Sequence, residues 1–74
     1  MTDAKLLKLV GRRVKELRQE RGLTQEEAAR LSGFDYKYFQ RIEYGEKNLS
    51  LTSLGKLAKA LKVTIAELVS IGPS

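Results

Sequence analysis

The side chains best suited to binding chemistry stand close together in the middle of the chain, at Tyr36, Lys37, Gln40 and Arg41. On a helix, residues at this spacing share one face, which would present two cations, an amide and a phenol together. The chain has no histidine and no cysteine, which removes thiol chemistry, the usual zinc sites and His-based catalytic dyads. Its nine carboxylates are accompanied by no Gly-rich phosphate loop. The sequence therefore predicts a non-enzymatic binding protein without a metal or cofactor.

The net charge of the chain is +5, and this charge is unevenly distributed. Residues 1–22 carry seven basic and three acidic side chains, residues 23–44 carry three and four, and residues 45–74 carry four and two. Basic surface at both ends suits a polyanion such as nucleic acid, although many small basic domains bind no polyanion. No apolar run exceeds two residues, so neither a transmembrane helix nor a signal-peptide core is predicted. The expected location is the cytoplasm.

Residues that favour helix dominate this chain of 74 residues, a length that suits one small domain. We expect a single domain over residues 1–74, with its core at 4–69 and a frayed tail at 70–74. Apolar residues at three-to-four spacing predict a first helix near 4–21, ended by Gly22. Capping patterns predict the starts of four more helices, at Thr24, Asp35, Ser50 and Thr64. Five short helices with short connectors predict a compact all-α bundle.

The middle of the chain has the spacing of two helices that cross over a short turn. Ala29 is small where the two helix axes would approach, and Gly33 supplies a positive φ in the turn. Phe34, Phe39 and Ile42 would fix the second helix of this pair onto the core, which leaves its polar face outward. This combination predicts a helix-turn-helix.

Residues 9–68 resemble the phage-repressor/Cro-type (Xre-like) helix-turn-helix family. The matching residues are Leu17-Arg18, Gly22-Leu23-Thr24-Gln25-Glu26-Glu27, Ala29, Gly33, Ile42-Glu43-x-Gly45 and Leu57-Ala58-Lys59-Ala60-Leu61-Lys62-Val63. Two further stretches are most similar to controller proteins of restriction–modification systems, namely Gly33-Phe34-x-x-x-Tyr38-Phe39 and Asn48-Leu49-Ser50-Leu51. The resemblance implies a lambda-repressor-like fold, in which the second and third helices form the helix-turn-helix.

The resemblance also implies which residues touch double-stranded DNA, because the family's third helix, here residues 36–43, enters the major groove. Base contacts would come from Tyr36, Lys37, Gln40 and Arg41. Lys37 or Arg41 would donate to guanine and Gln40 would pair with adenine, while Tyr36 would pack on a thymine methyl group. Phosphate contacts would come from Thr24, Gln25, Tyr38, Tyr44, Lys47 and Asn48. Arg18 and Glu43 occupy the positions of an ion pair that ties the first helix to the third.

The function implied by the resemblance is that of a sequence-specific regulator of transcription. A homodimer would bind a roughly palindromic operator whose half-sites lie about 34 Å apart. The fifth helix carries the apolar residues left over for its interface, Ile65, Leu68, Val69 and Ile71. An alternative stays open, because fold does not fix function: an antitoxin or co-activator module could use the same fold to hold a protein, such as a toxin or polymerase subunit.

Several residues depart from the family pattern or need a structural reason. Asp35 replaces a small hydroxyl residue, and its charge would face DNA phosphates unless it accepts from cytosine N4. Ala28 and Ser32 stand where many members carry leucine, so we expect a thinner core under the second helix. Gly11 and Gly55 lie inside predicted helices, where glycine costs about 1 kcal/mol relative to alanine. Close backbone approach would explain both, and a neutral surface position is an equal alternative for Gly55.

Overall fold

Five α-helices make up most of residues 4–70, the part of the chain described by this computed structural model. They are α1 (Ala4–Glu20), α2 (Gln25–Ser32), α3 (Tyr36–Glu43), α4 (Leu51–Leu61) and α5 (Ile65–Leu68). Within these residues there is no strand, and no helix is long and apolar enough to cross a membrane. The prediction of an all-α, five-helix architecture is confirmed. The expected frayed tail, apart from Ser70, lies outside the described residues.

Side-chain caps begin four of the helices, at the predicted residues Thr24, Asp35, Ser50 and Thr64. The boxes at Thr24 and Thr64 are reciprocal, since each threonine hydroxyl accepts from a glutamate N–H while the carboxylate accepts from the threonine N–H. These main-chain N–H donors, with the threonine hydroxyls, lower the pKa of Glu27 and Glu67 below the ordinary 4.5. The two glutamate carboxylates therefore stabilise the fold fully above about pH 4.5, where they are ionised in both the folded and the unfolded chain. This contribution is lost as the pH falls through their lowered folded-state pKa.

Four of the helices are followed by a left-handed residue, and three of these residues are glycines. Gly22 has φ +68° after α1, Gly33 has φ +77° after α2, and Gly45 has φ +76° just after α3, whereas α5 ends at Val69 with φ -99°. The end of α4 lies at Lys62, a non-glycine residue with φ 58° that no sequence signal predicts. Arg21 supports this end, because its guanidinium donates to the carbonyl oxygens of Leu61 (2.9 Å) and Lys62 (3.0 Å). These bonds tie the end of α1 to the end of α4.

The core lies against α1, which contacts α3, α4 and α5, while α2 packs between α3 and α4 and contributes only small side chains to the core. Phe39 is fully buried, as predicted, whereas Phe34 is half-buried at the edge of the core. Ala28 and Ala29 are both buried under α2. The fully buried larger side chains are Val14, Phe39, Ile42, Leu57, Leu61 and Leu68. Because α2 has no large apolar residue at the core, α3 and α4 supply most of the buried volume around it.

Gly11 allows the backbones of α1 and α3 to meet without an intervening side chain. A Cβ atom at this position would stand 2.5 Å from the Ile42 carbonyl oxygen and 2.6 Å from that of Glu43. Gly55 is different, because the nearest atom to a Cβ there is the Ile65 Cδ1, at 4.0 Å. Close approach therefore explains Gly11, while no tight contact requires the glycine at position 55.

A buried ion pair joins α1 to α3 beside this contact. Arg18 Nε donates to Glu43 Oε2 at 2.6 Å, and Arg18 Nη2 donates to Glu43 Oε1 at 3.3 Å. The remaining donors of the guanidinium include Nη1, which is bound to the Leu23 carbonyl oxygen at 2.8 Å. The Glu43 side chain is only 1% exposed, so its charge depends on these partners for compensation. The resemblance placed this pair, and the structure brings the two residues together.

The two helical glycines should respond in opposite ways to alanine. Gly11→Ala should lower the free energy of unfolding by about 2 kcal/mol or more, because backbone carbonyls must move to admit the methyl group. Gly55→Ala should raise it by up to about 1 kcal/mol through helix propensity. Urea denaturation of both variants checks this, and a stabilised Gly11→Ala protein would rule out the close packing of α1 on α3.

Removing one partner of the buried ion pair should be costly. Glu43→Gln should lower the free energy of unfolding by about 3–5 kcal/mol, because the Arg18 charge stays buried without a counter-charge. The matched control is Glu16→Gln, which removes the more exposed partner of the 3.9 Å pair with Arg13 and should cost less than about 1 kcal/mol. Equal losses in the two variants, measured by urea denaturation at neutral pH, would show that the Arg18–Glu43 pair is not structural.

Candidate nucleic-acid interface

The four predicted base-contact residues lie together on the outer face of α3. Tyr36, Lys37 and Arg41 are exposed, and Gln40 is half-buried. The inner face of the same helix is buried through Phe39, Ile42 and Glu43. Because α3 is held by α1 on one side and by α2 across the Gly33 turn, its outer face projects as a continuous strip of hydrogen-bonding groups. The groups on this strip are of the kinds that bind base edges in the major groove of a DNA duplex.

A shallow depression beside the start of α3 collects positive charge. It is lined by Asp35, Lys37, Tyr38, Arg41 and Lys47. Three cations thus face one carboxylate, and that carboxylate is engaged locally, since Asp35 Oδ1 accepts from the Tyr38 N–H at 2.9 Å. Lys47 Nζ lies 5.7 Å from the centre of the Tyr38 ring. The surplus of positive charge makes the depression suitable for a phosphate group.

The Tyr38 ring also packs within the protein, which was the alternative to DNA contact. Its centroid lies 5.0 Å from that of Phe34, with the two rings tilted by 56°. Tyr38 is half-buried, so the ring is fixed while part of the side chain stays accessible. The structure therefore lets this residue serve both purposes.

The Gln25 side chain is bound within the protein, which changes the expectation for its phosphate contact. Gln25 Nε2 donates to Glu43 Oε1 at 2.8 Å, and Gln25 Oε1 accepts from the Tyr36 hydroxyl at 3.5 Å. The amide nitrogen is thus occupied, and the amide oxygen makes a long contact with the Tyr36 hydroxyl. A phosphate contact at this residue would use its main-chain N–H, at the first turn of α2. The bond from Gln25 to Glu43 was not anticipated, since the two residues are 18 positions apart and no local spacing links them.

The other expected phosphate-contact residues flank the outer face of α3 and are exposed. Thr24 precedes α2 with its hydroxyl oxygen used in the capping box, and Tyr44 follows α3 with 57% of its surface exposed. Asn48 is exposed in the connection between α3 and α4. Tyr44 and Asn48 are placed to meet a ligand that extends beyond α3, whereas the Thr24 hydroxyl oxygen and main-chain N–H are engaged with Glu27.

The expected self-association surface needs one correction. Leu68 is fully buried in the core of a single chain, so it cannot contribute a free surface on α5. Ile65 is half-buried, Val69 is exposed just after the helix, and Ile71 lies outside the described residues. Four residues of α5 are too few for apolar spacing to decide which side chain faces inward.

An apolar groove next to Val69 was missed in the sequence. It is lined by Leu6, Leu7, Val10, Leu49, Leu54 and Val69. Leu6 is 48% exposed although it lies on a helix that packs against the core. The adjacent pair Leu6-Leu7 was a usable signal, because neighbouring side chains on a helix point about 100° apart, which places one of two such leucines toward the edge of the core-facing side. The groove enlarges the apolar surface available beside α5.

Comparison with known proteins places these features in a family. Residues 14–68 match the helix-turn-helix family HTH_3. The chain is 46% identical over 63 residues to the uncharacterized HTH-type transcriptional regulator y4dJ of Sinorhizobium fredii, covering 85% of this chain and 82% of y4dJ. It is 38% identical over 71 residues to the control protein C.MunI of a Mycoplasma species, covering 95% and 93%.

A solved structure agrees with these relatives. The fold matches the restriction–modification controller protein C.AhdI from Aeromonas hydrophila with a TM-score of 0.81 and 45% identity, covering 84% of this chain and 94% of C.AhdI. The resemblance identified in the sequence is confirmed: the chain belongs to the HTH_3 helix-turn-helix family of transcriptional regulators.

Proposed function

We propose that this protein regulates transcription by binding specific sequences of double-stranded DNA as a homodimer, with α3 in the major groove. The observation that carries the proposal is the outer face of α3, where four hydrogen-bonding side chains lie together and two of them, Lys37 and Arg41, also line a depression with Lys47. Family membership supports it, since this is a family of DNA-binding regulators and not of enzymes. The relatives include controller proteins of restriction–modification systems, and we extend that role to this chain as part of the proposal.

The outer face of α3 would read base edges through complementary hydrogen bonds. Lys37 and Arg41 carry donors that match the O6 and N7 acceptors of guanine in the major groove. Gln40 has both a donor and an acceptor, which matches the N6 and N7 atoms of adenine. Tyr36 presents an exposed ring that can pack on a thymine methyl group.

Phosphate groups on either side of the groove would be held by the flanking residues. Lys47 and Tyr38 would bind one phosphate at the cationic depression, near Lys37 and Arg41. The residues left for other phosphates are Thr24, Gln25 through its main chain, Tyr44 and Asn48. These contacts set the register of α3 but carry no sequence information.

Self-association would bring two copies of α3 to successive turns of the groove. Val69, Ile65 and the neighbouring apolar groove form the surface that a second copy would cover, because burial of such a surface favours association. A two-fold dimer implies a roughly palindromic operator with half-sites about 34 Å apart. The alternative of an antitoxin or co-activator module is not favoured, because the relatives are transcriptional regulators and control proteins.

Selection of bound duplexes from a random DNA pool tests the proposal directly. At about 150 mM salt, where non-specific phosphate binding is weakened, we expect enrichment of a two-fold symmetric motif. Enrichment of a single unpaired half-site would contradict the dimer, and a pool without enrichment would contradict sequence reading itself.

Alanine variants separate base contacts from phosphate contacts. Lys37→Ala and Arg41→Ala should each cost about 1–3 kcal/mol of discrimination at particular base pairs, because each removes a donor to a base edge. The matched control is Lys47→Ala, which should weaken all sequences alike and reduce the slope of log K against log salt by about one. Salt titrations on the selected operator and on random DNA give both quantities. Equal weakening of the two DNAs by Lys37→Ala would remove that residue from the base-reading set.

A further inference from the structure

A chain of hydrogen bonds leads from the buried ion pair to the outer face of α3. Glu43 Oε1 accepts from Gln25 Nε2 (2.8 Å), Gln25 Oε1 accepts from the Tyr36 hydroxyl (3.5 Å), and the Tyr36 oxygen accepts from Gln40 Nε2 (3.1 Å). Four side chains from α2 and α3 are therefore connected in sequence. One end of the chain is buried and the other end is among the proposed base contacts.

The first bond fixes the orientation of the Gln25 amide. Glu43 forms an ion pair with Arg18, so it is a carboxylate, which accepts hydrogen bonds and donates none. Gln25 must therefore present its amide nitrogen to Glu43, and this leaves Gln25 Oε1 on the opposite side. A rotation of the Gln25 amide by 180° would place two oxygen atoms against each other next to a buried charge, which is strongly unfavourable.

The orientation of the Gln25 amide also determines the direction of the hydrogen bonds at Tyr36 and Gln40. Because Gln25 offers an oxygen, the single hydroxyl proton of Tyr36 is donated to it, and the Tyr36 oxygen is left as an acceptor. Gln40 must then present its Nε2 to Tyr36, as the 3.1 Å bond shows. Within residues 4–70, the Gln40 carbonyl oxygen has no hydrogen-bond partner and stays available to a ligand.

We infer that Gln25 and the Tyr36 hydroxyl act as positioning groups that hold the Gln40 amide in one orientation, so that it accepts from an adenine or cytosine amino group and rejects guanine or thymine. This inference rests on the proposed DNA-binding function. Adenine N6 and cytosine N4 are donors in the major groove, whereas guanine O6 and thymine O4 are acceptors that would face the Gln40 oxygen. Adenine is preferred over cytosine, since the second hydrogen of Gln40 Nε2 can reach its N7. If the Gln40 amide were free to rotate, it could present either its oxygen or its nitrogen to the DNA, and it would discriminate less among the four bases.

The experiment repeats the random-pool selection with variants of these residues. Gln40→Ala first identifies the base pair that Gln40 reads. Tyr36→Phe keeps the ring but removes the hydroxyl, and Gln25→Met keeps the side-chain length but removes the amide. Each should reduce the preference for an amino-bearing base at that pair by about tenfold, while positions assigned to Lys37 and Arg41 stay within about twofold. The double variant should lose no more than either single one, because both break one chain.

Each outcome decides the question. A wild-type preference for guanine or thymine at the Gln40 position would overturn the inference and leave the DNA-binding function standing. A loss with Tyr36→Phe but not with Gln25→Met would overturn it too, since Tyr36 would then act alone. A pool without enrichment would overturn the proposed function together with the inference. Thermal unfolding of each variant controls for folding, and Tyr36→Phe lies at an exposed position where the fold is expected to tolerate it.

Discussion

The charge of Glu43, almost fully removed from water, sets the geometry of the helix-turn-helix. A buried carboxylate is tolerated only with strong compensating donors, and here they come from two other helices: Arg18 on α1 and Gln25 on α2. These bonds require α1, the start of α2 and the end of α3 to meet at one point. The angle between α2 and α3, and with it the exposure of the outer face of α3, follows from satisfying this single group.

The packing around Glu43 relies on small residues more than on large ones. Gly11 lets two helix backbones touch, and Ala28 and Ala29 let α2 lie close to the core. Short helices of eight residues gain little stability by themselves, so caps and packing carry them. As a result, the inner side of α3 packs into the core and its outer side carries polar groups.

Local signals in the sequence were sufficient for the helices and for their starts, because a capping threonine or aspartate acts on residues within three positions. The left-handed Lys62 was not predictable, since lysine has no preference for that conformation and its support comes from Arg21, far away in the chain. The burial of Leu68 and the apolar groove also depend on contacts between distant segments. The base and phosphate contacts of α3 and its flanks stay predictions, because they concern a partner and not the fold.

The contact at Gly11 has a consequence for how this protein can change over evolution. Backbone carbonyls have no rotamers, so α3 cannot slide or tilt on α1 by small adjustments of side chains. Changes in the preferred operator would therefore come from replacement of side chains on the outer face of α3 and of those beside it that position them, on a helix whose position stays constant. Divergent copies of the gene would share the frame formed by Gly11, Arg18 and Glu43 while differing at Tyr36, Lys37, Gln40 and Arg41.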